Sequence, residues 1–217
     1  MAPNPLKINT LTLGAILAAV VVTEITLGRL FAWQPLPHYT KVGLIRLVQI
    51  LVIIGLLMGL EGGLKTLGFS PAGWGAGLKK GAIWSLGFGA AAGLAMTIIH
   101  YSGHNPLHWL RSPLPARPRE VAMLFVVGGL IAPVAEELFF RGILYTYCRR
   151  WGVTAALLVT TAIFVLLHFH RIPVTQVVGG IVFALAYEFS HNLMTPITIH
   201  ALGNLALFTL SLPLFQH

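Results

Sequence analysis

Seven long apolar stretches, at about 11–31, 43–60, 81–100, 120–147, 152–170, 173–188 and 193–214, follow one another along a chain of 217 residues. Each approaches the roughly 20 residues that carry a helix across a bilayer. The runs are continuously apolar rather than alternating, which selects helices over a β-barrel as the way to satisfy backbone polar groups in lipid. With 56% hydrophobic and only 9% charged residues, and a mean hydropathy of +0.82, the chain also lacks the polar surface that a soluble globule of this size needs. The expectation is an all-α integral membrane protein of about seven transmembrane helices.

The remaining composition narrows the partners. The net charge of +8 comes from Lys and Arg lying mostly between the apolar runs, where they meet anionic headgroups. The lipid bilayer is therefore the expected partner, and nucleic acid is not. Those basic residues divide six against seven between the two faces of a seven-span arrangement: Lys7, Lys65, Lys79, Lys80, Arg149 and Arg150 on one, Arg29, Lys41, Arg46, Arg111, Arg117, Arg119 and Arg171 on the other. Charge alone sets no orientation. Cys148 is the sole cysteine, which excludes an intrachain disulfide, and it reads as a small apolar helix residue. The first run shows no small-residue cleavage pattern and reads as a retained helix.

The segment 61–80, rich in glycine around Pro71 and Trp74, reads as an interfacial elbow; 101–119, with Pro106, Pro113, Pro115 and Pro118, reads as a loop. No repeat or low-complexity tract appears. The chain 1–217 is expected to be one polytopic domain, with N-terminal helices and elbow to about 118 and a core of helices from about 119 to 217.

A charge at the centre of a bilayer costs on the order of 3 kcal/mol on insertion scales, so each ionisable residue inside a span needs a partner or a task. Most such residues gather in the last half of the chain. The fourth run holds Glu136, Glu137 and Arg141, the fifth Phe164 and His168, and the seventh His200 and Asn204. Glu137 and Arg141, four residues apart, can pair on one helix face, whereas Glu136 points about 100° away and finds no partner in its own helix. Phe164 shares a face with His168, and His200 with Asn204, so two further helices can each aim polar groups inward. Pro133, just ahead of the glutamates, can kink the fourth helix and open a pocket there.

A polar catalytic cavity among the four C-terminal helices is therefore expected. In it Glu136, with His168 holding and polarising a water, is placed to act as general base, while His200 and Asn204 are placed to donate hydrogen bonds to a tetrahedral oxyanion. Any one intramembrane His or Asn commonly serves only as glue between helices. Four unpaired polar groups on three helices are costly without a function.

These residues resemble the CPBP family of intramembrane glutamic endopeptidases, the group of CAAX proteases and bacteriocin-processing proteins also called the Abi family. Its pattern EExxxR, FxxxH and HxxxN reads here as Glu136-Glu137 with Arg141, Phe164 with His168, and His200 with Asn204. The resemblance implies that Glu136 and His168 activate water, that His200 and Asn204 form the oxyanion site, and that Glu137 and Arg141 support the cavity. It also implies an intramembrane peptidase without a cofactor, acting on a membrane-associated protein or peptide: a prenylated CAAX C-terminus, a sorting signal or a secreted peptide. The chain's size suits a prokaryotic cytoplasmic membrane.

Two alternatives keep the same residues. In one, Glu136, His168 and His200 hold a zinc ion with an open position for water, although no HExxH is present. In the other, a non-enzymatic binding or immunity protein uses the cavity to hold a peptide without cutting it. A proton-coupled transporter using Glu24, Glu136 and Glu188 fits less well, because no inverted repeat is present. His100, His104 and His108 read as solvated interfacial residues, as do His170 and Arg171 beside His168.

Overall fold

A computed structural model describes residues 8–105, 110, 112–168 and 174–212. Lys7, Pro106, His108, Arg111, His170 and Arg171 lie outside the described residues, as do residues 169–170, 173 and 213–214 of the last three apolar runs. Among the described residues the protein is all-α, an α-helical membrane protein as the sequence predicts. The long helices are α1 (Thr10–Ala32), α2 (His38–Leu60), α3 (Pro71–Tyr101), α4 (Pro118–Trp151), α5 (Val153–Leu167), α6 (Val174–Ser190) and α7 (Met194–Leu210).

Local chemistry sets their limits. Asn9 caps α1 by accepting the Thr12 N–H at 2.7 Å, satisfying one of the orphan donors of the first turn. Pro71 and Pro118 open α3 and α4 in the first turn, where a missing N–H removes no helical bond. Gly152, at φ 99°, supplies the positive-φ break between α4 and α5.

One expectation is corrected. The elbow is shorter than 61–80, because α3 begins at Pro71 and takes in Trp74, Lys79 and Lys80. Gly77, read as part of the elbow, instead joins Gly81 of the following run in a small-residue stripe facing α7. A Cβ at Gly77 would stand 2.6 Å from Met194 Cβ, and one at Gly81 would stand 2.5 Å from Thr198 Cβ. Only glycine lets the two backbones approach so closely. The seven long helices agree with the expected number; among the described residues α1 to α4 are long and apolar enough to cross a membrane, and α5, α6 and α7 are shorter apolar helices of 15, 17 and 17 residues.

Helix α4 is the centre of the packing. Val127 meets Gly43 of α2, Phe140 meets Phe164 of α5 edge to face, and Tyr145 meets Tyr187 of α6. The buried apolar cluster runs from Ile16, Ile53 and Leu57 through Leu138, Ile143 and Cys148 to Phe164, Tyr187 and Ile197. Cys148 is buried in it as a small packing residue, as expected.

Candidate active site

The sequence places Pro133 one turn before Glu136 and Glu137, and the backbone of α4 is widened on both sides of that turn. Residues Val127–Ile131 and Leu138–Tyr145 follow i→i+5 hydrogen bonding on either side of the α-helical turn Ala132–Glu137. Such widened turns are the usual way a helix absorbs an insertion or a proline without ending. In the first of them the Ala132 N–H reaches Val127 O. The matching donor for Gly128 O would be residue 133, and proline has none. Asn204 of α7 fills the vacancy, donating from Nδ2 to Gly128 O at 2.8 Å. The expected proline effect is thus a widened turn stitched to α7.

Glu137 and Arg141 are fully buried. Arg141 Nη1 donates to Glu137 Oε1 at 2.9 Å, the i,i+4 pair expected from spacing, and its Nη2 donates to Gly180 O of α6 at 3.1 Å. The guanidinium carbon lies 5.1 Å from the Phe164 ring centroid and 5.2 Å from that of Phe183. Aromatic faces on two helices therefore replace part of the solvation that burial removes. Glu137 Oε1 also accepts from His200 Nδ1 at 2.8 Å. A carboxylate only accepts, so Nδ1 of His200 carries its hydrogen, and Nε2 faces the other way.

Glu136 lies on the opposite side of this pair. Its Oε2 is 3.7 Å from His168 Nε2 and 3.7 Å from His200 Nε2, beyond direct hydrogen-bond contact in both directions. One oxygen thus faces two imidazoles from two other helices. His168 is the residue that ends α5 rather than a residue within it, so the fifth helix is shorter than the run 152–170. Its Nδ1 donates to Phe164 O at 2.8 Å, and its ring lies 4.5 Å from the Phe164 ring. That hydrogen bond fixes the tautomer and turns Nε2 toward Glu136. The His168 side chain is 35% exposed against 6% for His200, so the site opens past His168.

The structure brings together Glu136, Glu137, Arg141, Phe164, His168 and His200, and it ties Asn204, one turn beyond His200, to Gly128 of α4, eight residues before Glu136. Among the described residues no group of three His, Cys, Asp or Glu side chains is close enough to hold a metal ion. Glu24 and Glu188, considered as proton carriers, are instead paired with Arg46 and Arg149. Sequence reasoning missed Phe183, whose ring stacks on His200 at 4.6 Å and 19° while also facing Arg141. It also missed the Gly180 carbonyl. The paired Gly179-Gly180 was the available signal: a Cβ at Gly180 would stand 2.9 Å from Thr161 Cγ2, so α6 approaches α5 closely at that point.

Residues 118–206 match the family model described as type II CAAX prenyl endopeptidase Rce1-like. The matched segment contains every site residue named above, and it is the family toward which the motifs point. The match spans the last four of the long helices, in a chain with several helices long and apolar enough to cross a membrane. No curated protein and no solved structure matches the chain significantly.

Proposed function

We propose that the protein is an intramembrane glutamic endopeptidase that hydrolyses a peptide bond of a membrane-associated substrate, without a metal, through water activated by Glu136 and His168. The observation that carries the reading is the Glu136 oxygen held 3.7 Å from two imidazole nitrogens. A water oxygen at about 2.8 Å from both Glu136 Oε2 and His168 Nε2 fits that spacing. Both atoms accept, so the water donates a hydrogen to each and presents its lone pair to the substrate carbonyl.

As the water oxygen bonds to the carbonyl carbon, its proton passes to Glu136 Oε2. The oxyanion receives hydrogen bonds from His200 and from the second N–H of Asn204. His200 can donate from Nε2 only as the imidazolium, because its Nδ1 hydrogen is already given to Glu137. Glu137 supports that cation and therefore acts on the reaction through His200. Collapse of the intermediate breaks the C–N bond, and the proton on Glu136 moves to the leaving amine.

The family match favours a substrate with a CAAX-type C-terminus. A test uses the purified full chain in nanodiscs with prenylated and unprenylated CAAX peptides in ¹⁸O-labelled water. Cleavage of the prenylated peptide at one bond, with ¹⁸O in the new carboxylate, is the expected result. Tight binding of the same peptide without cleavage would assign the protein to the binding and immunity class.

A further inference from the structure

Phe183 of α6 belongs to none of the motifs, yet the fold makes a seat for it. Its ring lies over Gly179, one turn earlier on the same helix, where a Cβ would stand 3.3 Å from both Phe183 Cε2 and Cζ. A methyl group there would press on the ring, so the glycine gives the ring its place. Phe183 is buried with Ala186 and Ile199, and Trp84 of α3 packs against the same cluster. Side chains of three helices, α3, α6 and α7, thus enclose the ring, and close packing of this kind holds a side chain in one orientation.

That orientation lays aromatic surface against both donors of one buried carboxylate oxygen. Arg141 Nη1 and His200 Nδ1 donate to Glu137 Oε1 at 2.9 and 2.8 Å. The Phe183 centroid lies 5.2 Å from the Arg141 guanidinium carbon and 4.6 Å from the His200 ring. The contact with His200 is a near-parallel stack, with 19° between the planes, whereas Phe164 meets the same imidazole almost at right angles from 6.1 Å. A single hydrogen bond at Nδ1 anchors one edge of the imidazole and leaves its plane free to swing. The stack fixes that plane, and with it the direction of Nε2, which lies 3.7 Å from Glu136 Oε2.

The stacked face also acts on charge. A cation within about 6 Å of an aromatic centroid is drawn to the negative face of the ring, most strongly where water is excluded. The His200 side chain is only 6% exposed. In the proposed reaction Glu136 becomes neutral as it takes the proton of the water, so at that step Glu137 and the Phe183 face are the protein groups left to hold the imidazolium. We propose that Phe183 is a positioning residue that sets the plane of His200 and holds its imidazolium by the ring face while the oxyanion forms. This deepens the peptidase reading and rests on it. If Phe183 only fills space between α6 and α7, the charge on its face will not matter.

The experiment places phenylalanine with one, two or three ring fluorines at position 183 of the full chain. Fluorine keeps the ring close to its own shape and weakens the negative face step by step. Cleavage of one reporter peptide in nanodiscs is measured per folded molecule, with the folded fraction taken from thermal melts of the same samples. The turnover number kcat is expected to fall progressively, to about a tenth of wild type with three fluorines, while KM stays within about twofold. Phe183→Leu, which keeps an apolar side chain and removes the face, should lose at least as much. Weakening of the Arg141 contact appears in the melting temperature instead, because Arg141 is charged before and after the reaction alike. The same series at Phe189, exposed on the same helix, should leave kcat unchanged. If Phe183→Leu fails to fold, the fluorine series decides. A flat kcat across that series, or a loss confined to KM, in a protein whose wild type cleaves the peptide, overturns the inference and leaves the peptidase reading standing. A wild type that does not cleave overturns both.

Discussion

Asn204 of α7 donates its side-chain N–H to the Gly128 carbonyl of α4, the oxygen for which Pro133 supplies no backbone donor. One residue thus caps the carbonyl left open in α4 and, in the proposed mechanism, offers its second N–H to the oxyanion. Asn204→Ala is expected to lower kcat by about 10²–10³ per folded molecule with little change in KM. It should also lower stability by about 0.6 kcal/mol, a typical loss for an interhelical hydrogen bond in membranes. Kinetics and thermal melts on the same samples separate the two effects; normal turnover per folded molecule would remove Asn204 from the oxyanion site.

Arg141→Ala leaves Glu137 buried with an uncompensated charge and removes the cation between Phe164 and Phe183. A stability loss of about 3 kcal/mol is expected, together with reduced activity. Arg141→Lys should recover only part of it, because an ammonium cannot reach Glu137 and Gly180 with a planar fork. Activity lost at unchanged melting temperature would instead place Arg141 in contact with substrate.

The stripe on α3 holds α7, and hence His200, at its depth. Gly81→Val puts side-chain atoms where Thr198 already stands, so it should destabilise by about 1–3 kcal/mol, as overpacking does. Activity per folded molecule should fall as well, because His200 moves relative to Glu136. Gly87→Val, on the same helix with open space around a new Cβ, serves as the control and should leave both unchanged.

Much of this arrangement is legible in the sequence, for identifiable reasons. Insertion cost makes Glu136, Arg141, His168 and His200 conspicuous in apolar runs, and the i,i+4 rule pairs Glu137 with Arg141 correctly. What the sequence hid were relations set by backbone geometry. Pro133 reads as a kink, but which carbonyl it orphans depends on a widened turn that no residue pattern announces. Gly77 reads as part of an elbow because glycine breaks helices in water, whereas in lipid it also brings helices together. Phe183 looks like any apolar residue until α6 is docked against His200.

Metal dependence separates two uses of one residue set. Purified, active protein is expected to contain less than stoichiometric zinc by inductively coupled plasma mass spectrometry and to keep its turnover after prolonged chelation. Loss of activity on chelation, restored by zinc, would make Glu136, His168 and His200 metal ligands.

The role of Glu136 as base is tested most directly by Glu136→Gln, which keeps the shape of the side chain and removes the proton acceptor. In nanodiscs, with folding checked by thermal melt, the variant is expected to bind the reporter peptide with wild-type affinity while kcat falls by about 10²–10⁴. A folded Glu136→Gln protein that turns over within about tenfold of wild type would contradict that role.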